Sequence, residues 1–290
     1  FCYQTWLRPE TEGRVSDAQN NQIREWKGGI NDAVPPGAVM VDTARAITFQ
    51  NCEFSKGGIT GLEFVKGVKN SNVIGCAFTD LSGNAMQIGA SGAIDRGAPT
   101  TYVEDILISQ NLIYDIGVEY RSASAIGADC PVRCEISHNE IYDIPYSGIH
   151  IKSNMKQKDI TSGVRILYNR IYEIMNDGIF DGGAIYAQGQ TSGTVFDRNL
   201  IHGNYVKNQY VQAAYIYIDN GSNHWEISEN VVDSLAVTNW SAGRVENMIP
   251  QWAVANNGDP PSNNNLFYDN YSTTQAYYNG GIENTWGTFQ

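Results

Sequence analysis

Basic residues are scarce: 19 Lys and Arg stand against 31 Asp and Glu, a formal net charge of −12 over 290 residues. A nucleic-acid binder needs a basic face to neutralise phosphates, and docking on an anionic bilayer needs the same sign, so neither partner is expected. Long apolar runs are also missing. No stretch approaches the roughly 20 residues of a membrane-spanning helix, so no membrane insertion is expected, and the first residues carry no signal-peptide pattern. Cysteine amounts to five residues, too few to scaffold a chain of this size. Cys130 and Cys134 read equally as a pair or as two free thiols, and no second Cys or His pair follows at zinc-ligand spacing. Helix-length periodicity is absent as well. The chain starts at Phe1 and ends at Gln290 without a polar tail or cap. We therefore expect residues 1–290 to be a single domain, without a linker, and a fragment or processed piece of a longer protein.

What is present is a repeat. An apolar residue, two of any kind, Asn or Cys, one of any kind and a second apolar residue recur eight times, from Phe49-Cys52-Phe54 to a weaker Phe267-Asn270-Ser272. The Asn or Cys sits at 52, 76, 111, 139, 169, 199, 230 and 270, in steps of 24, 35, 28, 30, 30, 31 and 40. Each unit is rich in Ile, Val, Tyr and Thr and bounded by Asn, Asp, Gly and Ser, the composition of short strands between turns. Units of this length, stacked about 4.8 Å apart, make an all-β fold, a single-stranded parallel β-helix. Stacking puts equivalent Asn residues in one column, where each amide bonds to the amides above and below. Cys52 and Cys76 occupy that column in the first two units and read as small thiols within it.

A second strand follows each ladder position: Ala85–Ile88, 125–128, 148–151, 184–187 and 215–218. Period-two alternation sends Met86, Ile126, Ile149, Ile185 and Ile216 inward and the residues between them out to solvent. The outward columns are Gln87, Gly127, His150, Tyr186 and Tyr217, then Asp129, Lys152, Gln188 and Asp219. Residues 8–38 lack the repeat and read as a loop or edge covering. The longest step comes from an insertion near 235–265, whose Trp240, Arg244, Glu246 and Trp252 read as a cleft wall or a packed surface loop.

Aromatic faces with a few placed polar groups suit neutral sugars, so a carbohydrate is the expected partner, contacted by Tyr146, His150, Lys152, Tyr186, Gln188, Tyr217, Asp177 and Asp129. Most glycosidases use two carboxyl groups about 5 Å apart for retention or about 6.5–9.5 Å for inversion. Asp181 and Asp219 are the first pair to consider. Each also reads as turn chemistry, Asp181 before two glycines and Asp219 before Asn-Gly-Ser. Asp177 and Asp129 read as solvated turns or as substitutes for the second carboxyl. Glu119-Tyr120-Arg121 is a further candidate for the cleft lining, and His202 and His224 read as surface residues.

The Asn-bearing coils, together with Pro145-Tyr146-Ser147-Gly148-Ile149, Asp181-Gly182-Gly183-Ala184-Ile185-Tyr186 and Tyr217-Ile218-Asp219-Asn220-Gly221-Ser222, resemble right-handed parallel β-helix enzymes of the pectate-lyase-like type. Among these the sequence is most similar to glycoside hydrolase family 141, which includes α-L-fucosidase and xylanase activities. The similarity runs from the segment Tyr3 to Pro9 onward and implies catalytic aspartates at Asp181 and Asp219, with no cofactor and a secreted, periplasmic or cell-surface location. Asn220 departs from the pattern, which has an acidic residue there. Register sets a condition on the pair. Counted from the Asn column, Asp219 aligns with Gln188, seven positions after Asp181, and a straight strand of that length spans roughly 23 Å. The pair therefore requires a corner at Gly182-Gly183. A polysaccharide lyase, with Lys152 as base and Ca²⁺ on a uronate, is one alternative. A non-catalytic glycan-binding solenoid is another.

Overall fold

The computed structural model describes residues 14–17, 22–25, 37–90, 94–95, 97–153, 160–176, 182–203, 213–219, 221–233, 252–254, 262–272, 277–279 and 285–286. Three parallel sheets of eight, nine and ten strands run along the molecule, and every neighbouring pair in them joins equivalent strands of successive coils. A coil reads as a strand of the ten-stranded sheet such as Glu135–Ser137, then one of the eight-stranded sheet such as Glu140–Ile144, then one of the nine-stranded sheet such as Ile149–Lys152. This is the parallel β-helix that the repeat predicts. Ahead of it, Arg14–Asp17 and Gln22–Glu25 form a two-stranded antiparallel pair. Among the described residues no helix is long and apolar enough to cross a membrane.

The corners explain the spacing. His138, Tyr168, Arg198, Glu229 and Asp269 all hold positive φ, between 50° and 56°, and each immediately precedes a ladder residue. One left-handed residue swings the chain from the first sheet to the second. The following Asn then turns inward. Nδ2 of Asn111 donates to Oδ1 of Asn139 at 2.9 Å and to the Val73 carbonyl at 3.0 Å. The same pair of bonds repeats from Asn139 through Asn169, Asn199 and Asn230, whose Nδ2 donates to Oδ1 of Asn270 at 3.0 Å. At the start of the column, the Cys76 amide donates to Oδ1 of Asn111 at 2.9 Å and the Cys52 amide to Sγ of Cys76 at 3.4 Å. Cys76 is buried and Cys52 half-buried. Cys130 and Cys134 are both buried free thiols, which closes the question of a bridge between them.

Inside the coil, stacked Ile, Val and Phe columns form one continuous core from Leu62 to Phe267. Outside it, the eight-stranded sheet carries a second stack. The rings of Tyr114, Tyr142, Tyr172 and His202 follow one another at 5.0, 4.9 and 4.8 Å with interplanar angles of 1°, 6° and 15°. Trp252 belongs to the strand Trp252–Val254 and pairs with Ile216, so it is an element of the nine-stranded sheet. Trp240, Arg244 and Glu246 lie outside the described residues.

Candidate functional site

The nine-stranded sheet carries the columns singled out in the sequence, in the expected register. Gln87, Gly127, His150, Tyr186 and Tyr217 pair in succession, as do Asp129, Lys152 and Gln188. The Asp219 amide donates to the Ala187 carbonyl at 2.7 Å, which sets Asp219 beside Gln188.

The face is not open to solvent, which corrects the expectation from alternation. Gln87, His150, Tyr186, Tyr217, Gln188 and Asp219 are all buried, and Lys152 is half-buried. Alternation assigns a side of the sheet but not what lies above it. Here the rings cover one another. Tyr186 meets His150 edge-on at 4.5 Å and Tyr217 edge-on at 5.2 Å, and Tyr146 approaches both His150 and Tyr186 within 6.5 Å. Tyr186 and Tyr217 join Ala214 in an apolar cluster separate from the solenoid core.

Asp219 sits at the polar edge of this cluster. Its Oδ2 accepts the Tyr186 hydroxyl and the Gln188 Nε2, the latter at 3.2 Å. Its backbone is pinned as well, since the carbonyl accepts from the Ser222 amide at 3.2 Å and from Ser262 Oγ at 2.8 Å. The bond from the Ser222 amide closes a tight turn after Asp219. Two donors converge on Oδ2, so that oxygen is an acceptor, as suits a base or a nucleophile.

The corner required of Gly182-Gly183 is absent. Gly182–Gln188 is one uninterrupted strand, and Gly182 and Gly183 pair with Ala213 and Ala214 of the next coil. Glycine is needed there for close approach. A Cβ on Gly183 would lie 2.3 Å from the Ala214 carbonyl oxygen, and one on Gly182 would lie 2.5 Å from the Tyr146 ring. Six straight steps put the Gly182 and Gln188 Cα atoms about 20 Å apart. Asp181 and Asp177 lie outside the described residues.

Asp129 is a further correction: it is a buried strand residue, 6% exposed, and not a solvated turn. It stands three coil steps from the Asp219 position, about 14 Å, too far to substitute as a direct second carboxyl. Lys152 is its register neighbour. Glu119 and Arg121 are exposed. Glu119 lines a separate open groove of about 360 Å³ with Lys56, Gly57, Gly58, Asp80, Ser82 and Val118, in the early coils. His224 is exposed and His202 half-buried.

His150 is 2% exposed. Burial pushes its pKa well below the usual imidazole range, and the Lys152 ammonium adds to the effect. Sequence reasoning placed this residue correctly in register but took it for a solvent-facing one.

Comparison with known proteins bears first on the fold. The family described as "Right handed beta helix region" matches residues 12–180. A solved structure named "Glycoside hydrolase" is similar over 95% of this chain and 42% of its own, with a TM-score of 0.65 and 21% identity. Another, "The complex structure of XylC with xylose", is similar over 83% and 39%, with a TM-score of 0.47 and 13% identity. The chain thus spans less than half the length of either. No curated protein matches.

Proposed function

The chain belongs to the right-handed β-helix family, and on that scaffold we propose that it is a carbohydrate-active hydrolase of the glycoside hydrolase family 141 kind, acting on fucosyl- or xylan-type glycans with Asp219 as its reacting carboxylate. The observation that carries the proposal is the Asp219 carboxylate, bonded by Tyr186 and Gln188 at the edge of an aromatic cluster. A glycosidase needs a fixed carboxylate at the anomeric centre, together with apolar ring faces for the sugar's C–H surface. Asp219 is the fixed carboxylate, and the rings of Tyr186 and Tyr217 stand beside it. The neighbour named for glycoside hydrolysis shares the fold, which makes the reading chemically natural on this scaffold.

Tyr186 and Gln188 hold the carboxylate through Oδ2, while Tyr146, Tyr217 and His150 shape the sugar subsite. Lys152 and Asp129 lie farther along the same columns and act on the substrate beyond the cleaved unit. Asp181→Asn and Asp177→Asn, assayed on the same substrates, test whether either supplies the second carboxyl. The carboxylate that carries the proposal is Asp219, Asp181 lying outside the described residues. The reaction itself asks for no metal or organic cofactor.

The test is release of reducing ends from xylan and of p-nitrophenol from aryl α-L-fucosides and β-xylosides, by the wild type and by Asp219→Asn. Turnover that Asp219→Asn abolishes supports the reading. An unsaturated uronide product absorbing in the ultraviolet would replace it with a lyase.

A further inference from the structure

Both ring nitrogens of His150 are buried, and among the described residues neither has a hydrogen-bond partner. An imidazole in a protein interior normally donates from one nitrogen and accepts at the other, and leaving both idle is unfavourable. A Phe or Leu would fill the same space without that penalty. The described neighbours on its column do not supply a partner. On one side the Tyr186 hydroxyl is committed to Asp219. On the other, Gly127 offers no side chain, and the Gln87 amide beyond it is bonded to the Gly89 carbonyl at 2.7 Å and to Asn84 at 3.0 Å.

We infer that His150 is the group that reads a sugar hydroxyl at this site, through one ring nitrogen, and that it selects a neutral sugar over a uronate. The inference rests on the glycan site proposed above and assigns that site a specificity residue. Burial and the Lys152 ammonium both keep the ring uncharged, and a neutral imidazole offers a hydroxyl a full hydrogen bond but offers a carboxylate no charge. Lys152 itself has Asp129 as its register neighbour. The aromatic rings around His150 supply the apolar surface that a pyranose face needs, and Asp219 is reached through Tyr186, which touches both. His150 and Asp219 are buried alike, at 2% and 1% exposed. A site built to bond a hydroxyl rejects the analogue that lacks it far more strongly than an apolar pocket can, because the polar group is then left unpaired.

The experiment uses the full chain as Asp219→Asn, labelled with ¹⁵N-histidine and titrated with D-xylose, L-fucose, D-glucuronate and monodeoxy analogues of the two neutral sugars. His150 resonances are expected to shift with a neutral sugar and not with glucuronate, and one deoxy analogue is expected to bind at least about tenfold more weakly than its parent. In His150→Phe that discrimination should vanish, while His150→Gln, which keeps a donor and an acceptor, should retain part of it. Urea melts of both variants confirm that they are folded. His150 resonances that stay unmoved by every sugar overturn the inference, as does His150→Phe with unchanged discrimination. The two readings fail separately. Hydrolysis by the wild type with unmoved His150 resonances removes this inference and leaves the hydrolase. Shifted resonances without hydrolysis of any glycan leave the inference and remove the hydrolase.

Discussion

Tyr186 and Asp219 stand 33 residues apart in sequence and meet through a phenol–carboxylate hydrogen bond. The contact follows from the coil register. Tyr186 pairs with Tyr217, so Asp219 is its diagonal neighbour on the next coil. The bond couples the aromatic cluster to the carboxylate that the proposed chemistry uses.

Tyr186→Phe keeps the ring and removes the hydroxyl that donates to Oδ2 of Asp219, where Gln188 also donates. A buried acceptor deprived of a partner costs about 1–3 kcal/mol. Urea denaturation should show a loss of that size, and kcat on the glycan substrate should fall more than KM changes.

The Asn column should dominate stability. Asn169 Oδ1 accepts from the Asn139 amide at 3.0 Å and from Asn139 Nδ2 at 2.9 Å, and its own Nδ2 donates to the Ile136 carbonyl and to Asn199. Asn169→Ala leaves several buried groups unpaired and should cost about 3 kcal/mol or more. Arg165→Ala, which breaks an exposed 3.3 Å pair with Glu135, should stay within about 0.5 kcal/mol. Equal losses in denaturant melts would contradict the ladder's role.

That ladder was also the most legible part of the sequence. Its eight positions set the coil step, and counting from it places His150, Tyr186 and Tyr217 in one column. Burial of that column was not legible, because whether rings lean over one another depends on contacts between coils and not on periodicity. The Gly182-Gly183 pair misled for a related reason. Glycine serves a sharp turn and a close backbone approach equally well. Only the Ala214 carbonyl, 31 residues on in sequence, decides between the two.

Gly183→Ala follows from this reading. The added Cβ would meet the Ala214 carbonyl oxygen at 2.3 Å, so the strand must shift and the melting temperature should fall by several degrees. Gly193→Ala is the control. It meets nothing within 4 Å but holds a φ of +63°, and only the modest cost of about 1 kcal/mol for a left-handed non-glycine residue is expected.

Acid should weaken the fold through His150 and His202. His150 titrates well below its usual 6.5 because of burial and then Lys152, and His202 titrates below 6.5 because of burial and then Arg170. A lowered pKa means that the unfolded chain takes up these protons first. Stability is therefore full above pH 6.5 and declines as pH falls through it, by up to about 1.4 kcal/mol per pH unit for the buried His150 and by less for the half-buried His202, which water screens. Denaturant melts between pH 7.5 and pH 5 should show this decline, and His150→Phe should flatten it. A stability that rises toward pH 5 would contradict the assignment.

The most direct test of the central claim is the kcat/KM of Asp219→Asn on a cleaved glycan, set beside its melting temperature. A fall of about 10²–10⁴, the range for a lost proton-transferring group, with the fold intact is the predicted result. Wild-type turnover by a folded Asp219→Asn protein would contradict the account.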